Sequence, residues 1–201
     1  MGASVAGEAE PGGARYGRRV VLLGAPGSGK GTQAAFLATA LGVPVISTGE
    51  MLRDAVVAGS ELGLRVDGVM AAGALVADDL MGEVVERRLS QEDARAGFIL
   101  DGYPRTTQQA ATLDAVLARS GAAVDRVLLF DVPEGELVRR ALGRGRSDDR
   151  EDVIRDRFLL YREKTQPLVA LYRERGLLSV VNGFQPVAQV TADLLAALEA
   201  R

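Results

Sequence analysis

The sequence predicts an α/β fold in which a five-stranded parallel sheet carries helices on both faces. Three observations predict it. Five short stretches are apolar at consecutive positions rather than alternate ones, as strands buried on both sides require. Segments with helical spacing of apolar residues separate them, and parallel strands need such crossovers. The first stretch runs into a glycine-rich turn and a helix, and sheets of this kind take ligands beyond the carboxyl ends of their strands.

The elements follow in chain order. Residues 1–17 are rich in Gly, Ala and Glu, have no apolar period and contain Pro11-Gly12-Gly13, so they read as a flexible extension. Val20 to Leu23 form the first strand, and Ala34, Leu37, Ala38 and Leu41 mark the helix that follows. Val45-Ile46 is a second, brief strand. Helices are expected over 49–58 and 61–72, with a longer one over 78–90 that turns Leu80, Val84, Val85 and Leu89 inward. Phe98 to Leu100 is the third strand, 106–119 a helix, and Val127 to Phe130 the fourth strand. A helix is expected over 134–142. Another begins near Glu151 and is bent or ended by Pro167. Leu177 to Val181 is the fifth strand, and an amphipathic helix over 187–199 closes the chain. No internal repeat or second-domain boundary is visible. Removing residues 1–17 is expected to leave turnover and thermal midpoint nearly unchanged. Assay and thermal denaturation of the shortened chain would check this, and a large fall in either would make the extension structural or regulatory.

The composition removes whole classes of chemistry. The 201 residues include no His, no Cys and no Trp. Serine or cysteine nucleophiles working with histidine, thiol redox reactions, disulfides and the usual zinc ligand sets are all excluded. The length suits one domain, and 47% hydrophobic residues supply its core. No apolar run approaches the roughly 18 residues that span a membrane. Met1 to Glu8 lack the basic and apolar segments of a secretory signal. A cytoplasmic protein without a membrane partner is therefore expected. A net charge of −3 and 4% aromatic residues argue against a nucleic-acid partner. The basic residues are 22 Arg and 2 Lys, so their placement says more than their number. Arginine's planar fork suits phosphate.

After the first strand comes Gly24-Ala25-Pro26-Gly27-Ser28-Gly29-Lys30-Gly31-Thr32. The glycines let backbone amides turn inward around a phosphate, and the next helix adds its N-terminal dipole. Lys30 would reach the outer phosphates, and Thr32 could aim a hydroxyl at Mg²⁺. A strict P-loop has Ser or Thr directly after the Lys, whereas here Gly31 intervenes. A nucleoside triphosphate is the expected ligand, held by Gly27, Ser28, Gly29, Lys30, Gly31 and Thr32. The second strand ends in Ser47-Thr48-Gly49-Glu50-Met51-Leu52-Arg53, and the third in Asp101-Gly102-Tyr103-Pro104-Arg105-Thr106-Thr107-Gln108-Gln109.

These three segments, in this order and spacing, closely resemble the adenylate kinases, and the likeness runs from about residue 18 to the end. The displaced Thr32 belongs to that family's form of the P-loop. The resemblance implies a P-loop NTPase fold with a helical monophosphate-binding insertion at 47–76 and a short lid loop at 143–149, all within a kinase domain of residues 18–201. It implies reversible transfer of the terminal phosphoryl group of ATP to AMP, giving two ADP, with Mg²⁺ carried by ATP and no zinc. A monomer is the family's usual state.

By resemblance, Thr48, Arg53, Arg105 and Gln109 form the AMP pocket together with Gly102, Tyr103 and Pro104, and the backbone of Ala74, Leu75 and Val76 lies along the adenine. Asp101 would orient water on Mg²⁺. Arg140 and Arg144 match the arginines that open the lid, Arg146 its closing edge with Asp148 and Asp149, and Arg157 an arginine one helix on. Lys30, Arg105, Arg144, Arg146, Arg157 and Asp101 make up the catalytic set. Arg140, Arg144 and Gln185 join the ATP site, Arg146 and Arg157 the AMP site. Arg139, Arg140, Arg144 and Arg146 lie in a stretch, 137–147, that has no acidic residue, which favours a polyanion among them. Arg139, Arg150 and Arg155 are expected on solvated helix surface.

The chain departs from long-lid relatives, because Gly143-Arg144-Gly145-Arg146-Ser147-Asp148 leaves only a tight loop. Gln185 stands where those relatives often have Lys, at a contact made through backbone. Two other functions share parts of this pattern. A UMP/CMP-type kinase typically has Asn after the Pro-Arg pair, where this chain has Thr106. A non-catalytic P-loop switch needs Asp-x-x-Gly after a strand, and Asp101-Gly102-Tyr103-Pro104 does not supply it.

Overall fold

The computed structural model describes residues 18–143, 145 and 150–199. Five strands form one all-parallel sheet: β1 (Arg19–Leu23), β2 (Val45–Ser47), β3 (Phe98–Asp101), β4 (Arg126–Asp131) and β5 (Leu178–Asn182). Their spatial order is β2-β3-β1-β4-β5. Nine α-helices are described around them: α1 (Lys30–Leu41), α2 (Thr48–Val57), α3 (Glu61–Ala71), α4 (Asp78–Leu89), α5 (Thr107–Ala118), α6 (Glu134–Leu142), α7 (Glu151–Leu160), α8 (Pro167–Glu174) and α9 (Val187–Glu199).

Alternate residues of each strand feed two separate cores, which is why the strands read as unbroken apolar runs. Val21, Leu23, Leu100 and Val127 pack with Leu113 of α5, Val85 of α4 and Leu168 of α8. Val20, Leu22, Ile99 and Leu128 pack on the other face with Leu37 of α1 and Leu194 of α9. All eight strand residues are almost wholly inaccessible. A third, smaller cluster joins Leu137 and Ala141 of α6 to Ile154 and Phe158 of α7.

This arrangement makes the site. β1 and β3 are neighbours, paired Leu22 with Asp101 at their carboxyl ends. The helix after β1 lies on one face of the sheet and the helix after β3 on the other. The loops therefore part above this pair and leave a crevice.

Two local features differ from expectation. Pro167 does not end the helix that begins at Glu151: α7 stops at Leu160, a wide π-type turn covers Tyr161–Thr165, and Pro167 opens α8. Proline suits a first helical turn, where its missing N–H has no partner to lose. A short 3₁₀ turn over Glu92–Ala94 precedes β3 and had no sequence signal. The expected extension 1–17, and Arg144 and residues 146–149 of the expected lid loop, lie outside the described residues.

Candidate active site

A cleft of about 890 Å³ opens above the carboxyl ends of the strands. Its walls come from four places: the loop after β1, the α2–α3 insertion, the segment after β3, and α6, α7 and the turn after β5.

The loop after β1 carries glycines for geometric reasons. Gly27 has φ +82°, and a Cβ there would lie 2.6 Å from the Leu137 carbonyl oxygen of α6, so no larger residue fits without moving a helix. Gly29 has φ +95° and directly precedes α1. The loop thus passes close under α6 and delivers backbone N–H groups to the start of α1, where anions are favoured. Lys30 folds back over the loop: its Nζ donates to the carbonyls of Gly24 at 2.7 Å and Ala25 at 3.1 Å, and to Ser28 Oγ at 3.4 Å. Gln33, 3% exposed, ties α1 to α9: its Nε2 donates to the Val187 carbonyl, and its Oε1 accepts from Thr191.

The opposite wall is cationic. Arg105 donates from Nε to the Gly102 carbonyl at 2.8 Å, which aims its terminal nitrogens. Gly102 has φ +85°, and a Cβ would sit 2.9 Å from Thr48 Oγ1 and 3.2 Å from Arg105 Nη2. Thr48, 2% exposed, donates to the Gly102 carbonyl at 3.0 Å and so links the ends of β2 and β3. Arg105 is exposed, and it lines the cleft. Desolvation by the surrounding protein holds its guanidinium below the ordinary value; the Asp101 carboxylate opposes this, and the Arg157 and Arg53 charges add to it. Two neighbouring cations bearing on the Arg105 guanidinium make this a site that an anion would relieve. The α2–α3 insertion reaches α7 directly, since a Cβ on Gly73 (φ +71°) would meet Val153 Cγ1 at 2.8 Å.

Every predicted site residue within the described part of the chain lines this cleft: Gly27 to Thr32, Thr48, Arg53, Ala74 to Val76, Asp101 to Arg105, Gln109, Arg140, Arg157 and Gln185. Arg144 and Arg146 lie outside the described residues.

The environment of several of these differs from expectation. The stretch without acidic residues begins one position after Glu136, and Glu136 bonds both Arg139, at 2.7 and 2.8 Å, and Arg140, at 2.5 Å. Helical spacings of three and four bring them together. The Arg139 and Arg140 contacts hold the Glu136 carboxyl down at about 2. Arg140 also donates to the Gly183 carbonyl at 3.2 Å. Arg139, Arg150 and Arg155 are exposed and paired with Glu136, Asp152 and Glu151. The Gln185 side chain donates to Asp193 at 2.5 Å, which leaves its backbone for other contacts. Gln109, expected to offer its amide to a base, already holds two protein partners: Oε1 accepts the Arg105 N–H at 2.7 Å and Nε2 donates to Asp78 at 2.8 Å.

Asp78 and Thr165 were missed by sequence reasoning. Thr165, in the π-type turn, donates to the Arg105 carbonyl at 3.0 Å and steadies the backbone of that arginine. Nothing local marks it. Asp78 had an indirect signal: Thr106 and Gln109 have the spacing of a helix capping box, and Thr106 Oγ1 accepts the Gln109 N–H at 3.0 Å. In this protein the Gln side chain caps the preceding residue instead, and Asp78 completes the arrangement.

The adenylate kinase family model matches residues 22–177. An adenylate kinase of Mycolicibacterium vanbaalenii is 51% identical over 180 residues, covering 90% of this chain and 98% of the relative. Adenylate kinase 1 of a Synechocystis species is 49% identical over 175 residues, covering 87% and 94%. One from Thermobifida fusca is 47% identical over 187 residues, covering 91% and 99%. The chain belongs to the adenylate kinase family. Its parallel sheet and P-loop are those of an adenylate kinase, and the cleft gathers the three segments by which the sequence resembled that family. No helix among the described residues is long and apolar enough to cross a membrane.

Proposed function

We infer that this protein is a phosphotransferase that passes the terminal phosphoryl group of ATP to AMP, giving two ADP, and runs in both directions. The observation that carries this reading is a single cleft with an anion site on each side: the glycine loop with Lys30, and the Arg53–Arg105–Arg157 group. One such site suits a nucleotide-binding protein. Two facing one another suit transfer between nucleotides.

The acceptor is already a phosphate oxyanion, so no general base is needed, which fits a chain without histidine. The protein's part is in-line placement, neutralisation of charge and exclusion of water. Gly27 to Thr32 hold the triphosphate, and Lys30 exchanges the carbonyls of Gly24 and Ala25 for phosphate oxygens. Arg53 and Arg105 hold the monophosphate with Thr48, Gly102, Tyr103 and Pro104 around it; Ala74 to Val76 and Gln109 receive the base. Arg157 faces the migrating group, and the resemblance assigns Arg144 and Arg146 to the same task. Arg140 and Gln185 complete the ATP site. Water must stay out or ATP is hydrolysed, so residues 47–76 are expected to close over both substrates, and the resemblance implies the same of 143–149.

The oxygen donors at the loop suit Mg²⁺. A Cβ on Gly31 would lie 3.6 Å from Asp101 Oδ2, so the carboxylate stands beside the start of α1, and Thr32 lines the same cleft. Among the described residues no group of three acidic, His or Cys side chains is placed to hold a metal. When bound, Mg²⁺ would neutralise phosphate charge, with Asp101 and Thr32 ordering its waters. The protein is expected to act as a monomer in the cytoplasm.

The test is ADP formation from ATP and AMP with and without Mg²⁺, with CMP, UMP and GMP as rival acceptors. ADP should form with AMP and fall to background when the metal is chelated. No ADP with AMP would sink the reading, and a preference for CMP or UMP would move the protein to the pyrimidine branch.

A further inference from the structure

A side-chain amide left to itself discriminates poorly between bases, because it can turn over and present donor and acceptor in either order. Gln109 cannot turn over freely. It is 2% exposed and borders the cleft. Its Oε1 accepts the Arg105 backbone N–H at 2.7 Å, and its Nε2 donates to Asp78 Oδ1 at 2.8 Å. The reversed amide would set an NH₂ against an N–H and an oxygen against a carboxylate, two contacts of like polarity. Asp78 is itself fixed, since its Oδ2 accepts the Thr106 hydroxyl at 2.7 Å. Thr106 caps α5 by accepting the Gln109 N–H. Cap, carboxylate and amide thus form a closed circuit between the first turns of α4 and α5.

One N–H and one oxygen lone pair of the amide remain, in a fixed order. The edge of a 6-aminopurine places a donor beside a ring-nitrogen acceptor; a 6-oxopurine puts an acceptor where that donor was. We propose that Asp78 is a positioning residue that sets the polarity of the Gln109 amide and thereby makes the acceptor site select 6-amino over 6-oxo purine monophosphates. The inference rests on the reading of Gln109 as the base contact of a monophosphate site.

The experiment compares kcat/KM for AMP and for inosine monophosphate, which differs from AMP at position 6 and has no 2-amino group. The proteins are wild type, Asp78→Ala, Asp78→Asn, Gln109→Ala and the Gln109→Ala/Asp78→Ala double variant. With Asp78→Ala only the Arg105 N–H still orders the amide, and the inosine-to-adenosine ratio should rise about tenfold, chiefly through a higher KM for AMP. Asp78→Asn keeps an acceptor oxygen, and its ratio should rise by about threefold. In the Gln109→Ala background the Asp78 change should leave the ratio where it was.

If Asp78 serves only the fold, both substrates fall together and the ratio stays at the wild-type value, which overturns the proposal. A ratio shift that survives in the Gln109→Ala background also overturns it. Should Asp78→Ala not fold, Asp78→Asn alone decides, by a raised or an unchanged ratio. Wild-type protein that makes no ADP from ATP and AMP removes the functional reading itself, a separate readout from the ratio.

Discussion

Replacing Lys30 with Met is expected to lower kcat by about 10³-fold, the scale of removing a preorganised group that meets charge developing in the transition state. Methionine keeps the length of the apolar stem and deletes the ammonium. In the structure that ammonium bonds the Gly24 and Ala25 carbonyls and Ser28 Oγ, all on its own loop. Those contacts are ones a phosphate can replace without moving the main chain. The thermal midpoint should therefore change far less than turnover, because these three bonds lie within one loop. Steady-state ADP formation and thermal denaturation check the two halves. Turnover within about tenfold of wild type would remove Lys30 from the reacting groups.

Arg105→Lys is expected to cost about 10²- to 10³-fold in kcat/KM for AMP, far more than a charge-conserving change on a surface. The reason is the division of labour within one guanidinium. Nε is spent on the Gly102 carbonyl at 2.8 Å, and that bond aims the terminal nitrogens into the cleft. A lysine has a single nitrogen, which can hold the carbonyl or the phosphate but cannot hold both with a fork's geometry. The like charges of Arg53 and Arg157 sharpen the effect, since a flexible ammonium is freer to swing away from them. Initial rates at varied AMP and fixed ATP measure it, and KM for ATP should move little. Near-wild-type kcat/KM would place Arg105 outside the monophosphate site.

Much of this was legible along the chain. The apolar runs of β1, β3 and β4 and the glycine loop declare themselves because their requirements are local: a strand buried on both faces needs consecutive apolar residues, and a backbone that wraps a phosphate needs glycine. The phosphate loop and the segments after β2 and β3 could be nominated because they follow strand ends, where a parallel sheet gathers its ligands; the candidates on α6 and α7 came from the resemblance. The environment of those residues was far less legible. Glu136, one residue outside the stretch free of acid, pairs with two of its arginines because helical spacing, not adjacency, decides who meets whom. Pro167 reads as a bend or an end of the helix from Glu151 and instead opens α8, since the same fixed φ suits the first turn of a helix.

Sequence alone therefore determined the kind of fold, the phosphate loop, and a side-chain chemistry without histidine or thiol. Each depends on residue types or on spacings of a few positions. Tertiary structure decided the strand order β2-β3-β1-β4-β5, the meeting of Arg105 with Arg53 and Arg157, and the Asp78–Gln109 bond across 31 residues. The physical reason is that such pairings depend on the path of the crossovers over the sheet, and a local pattern specifies that a helix exists without saying which strand it returns to.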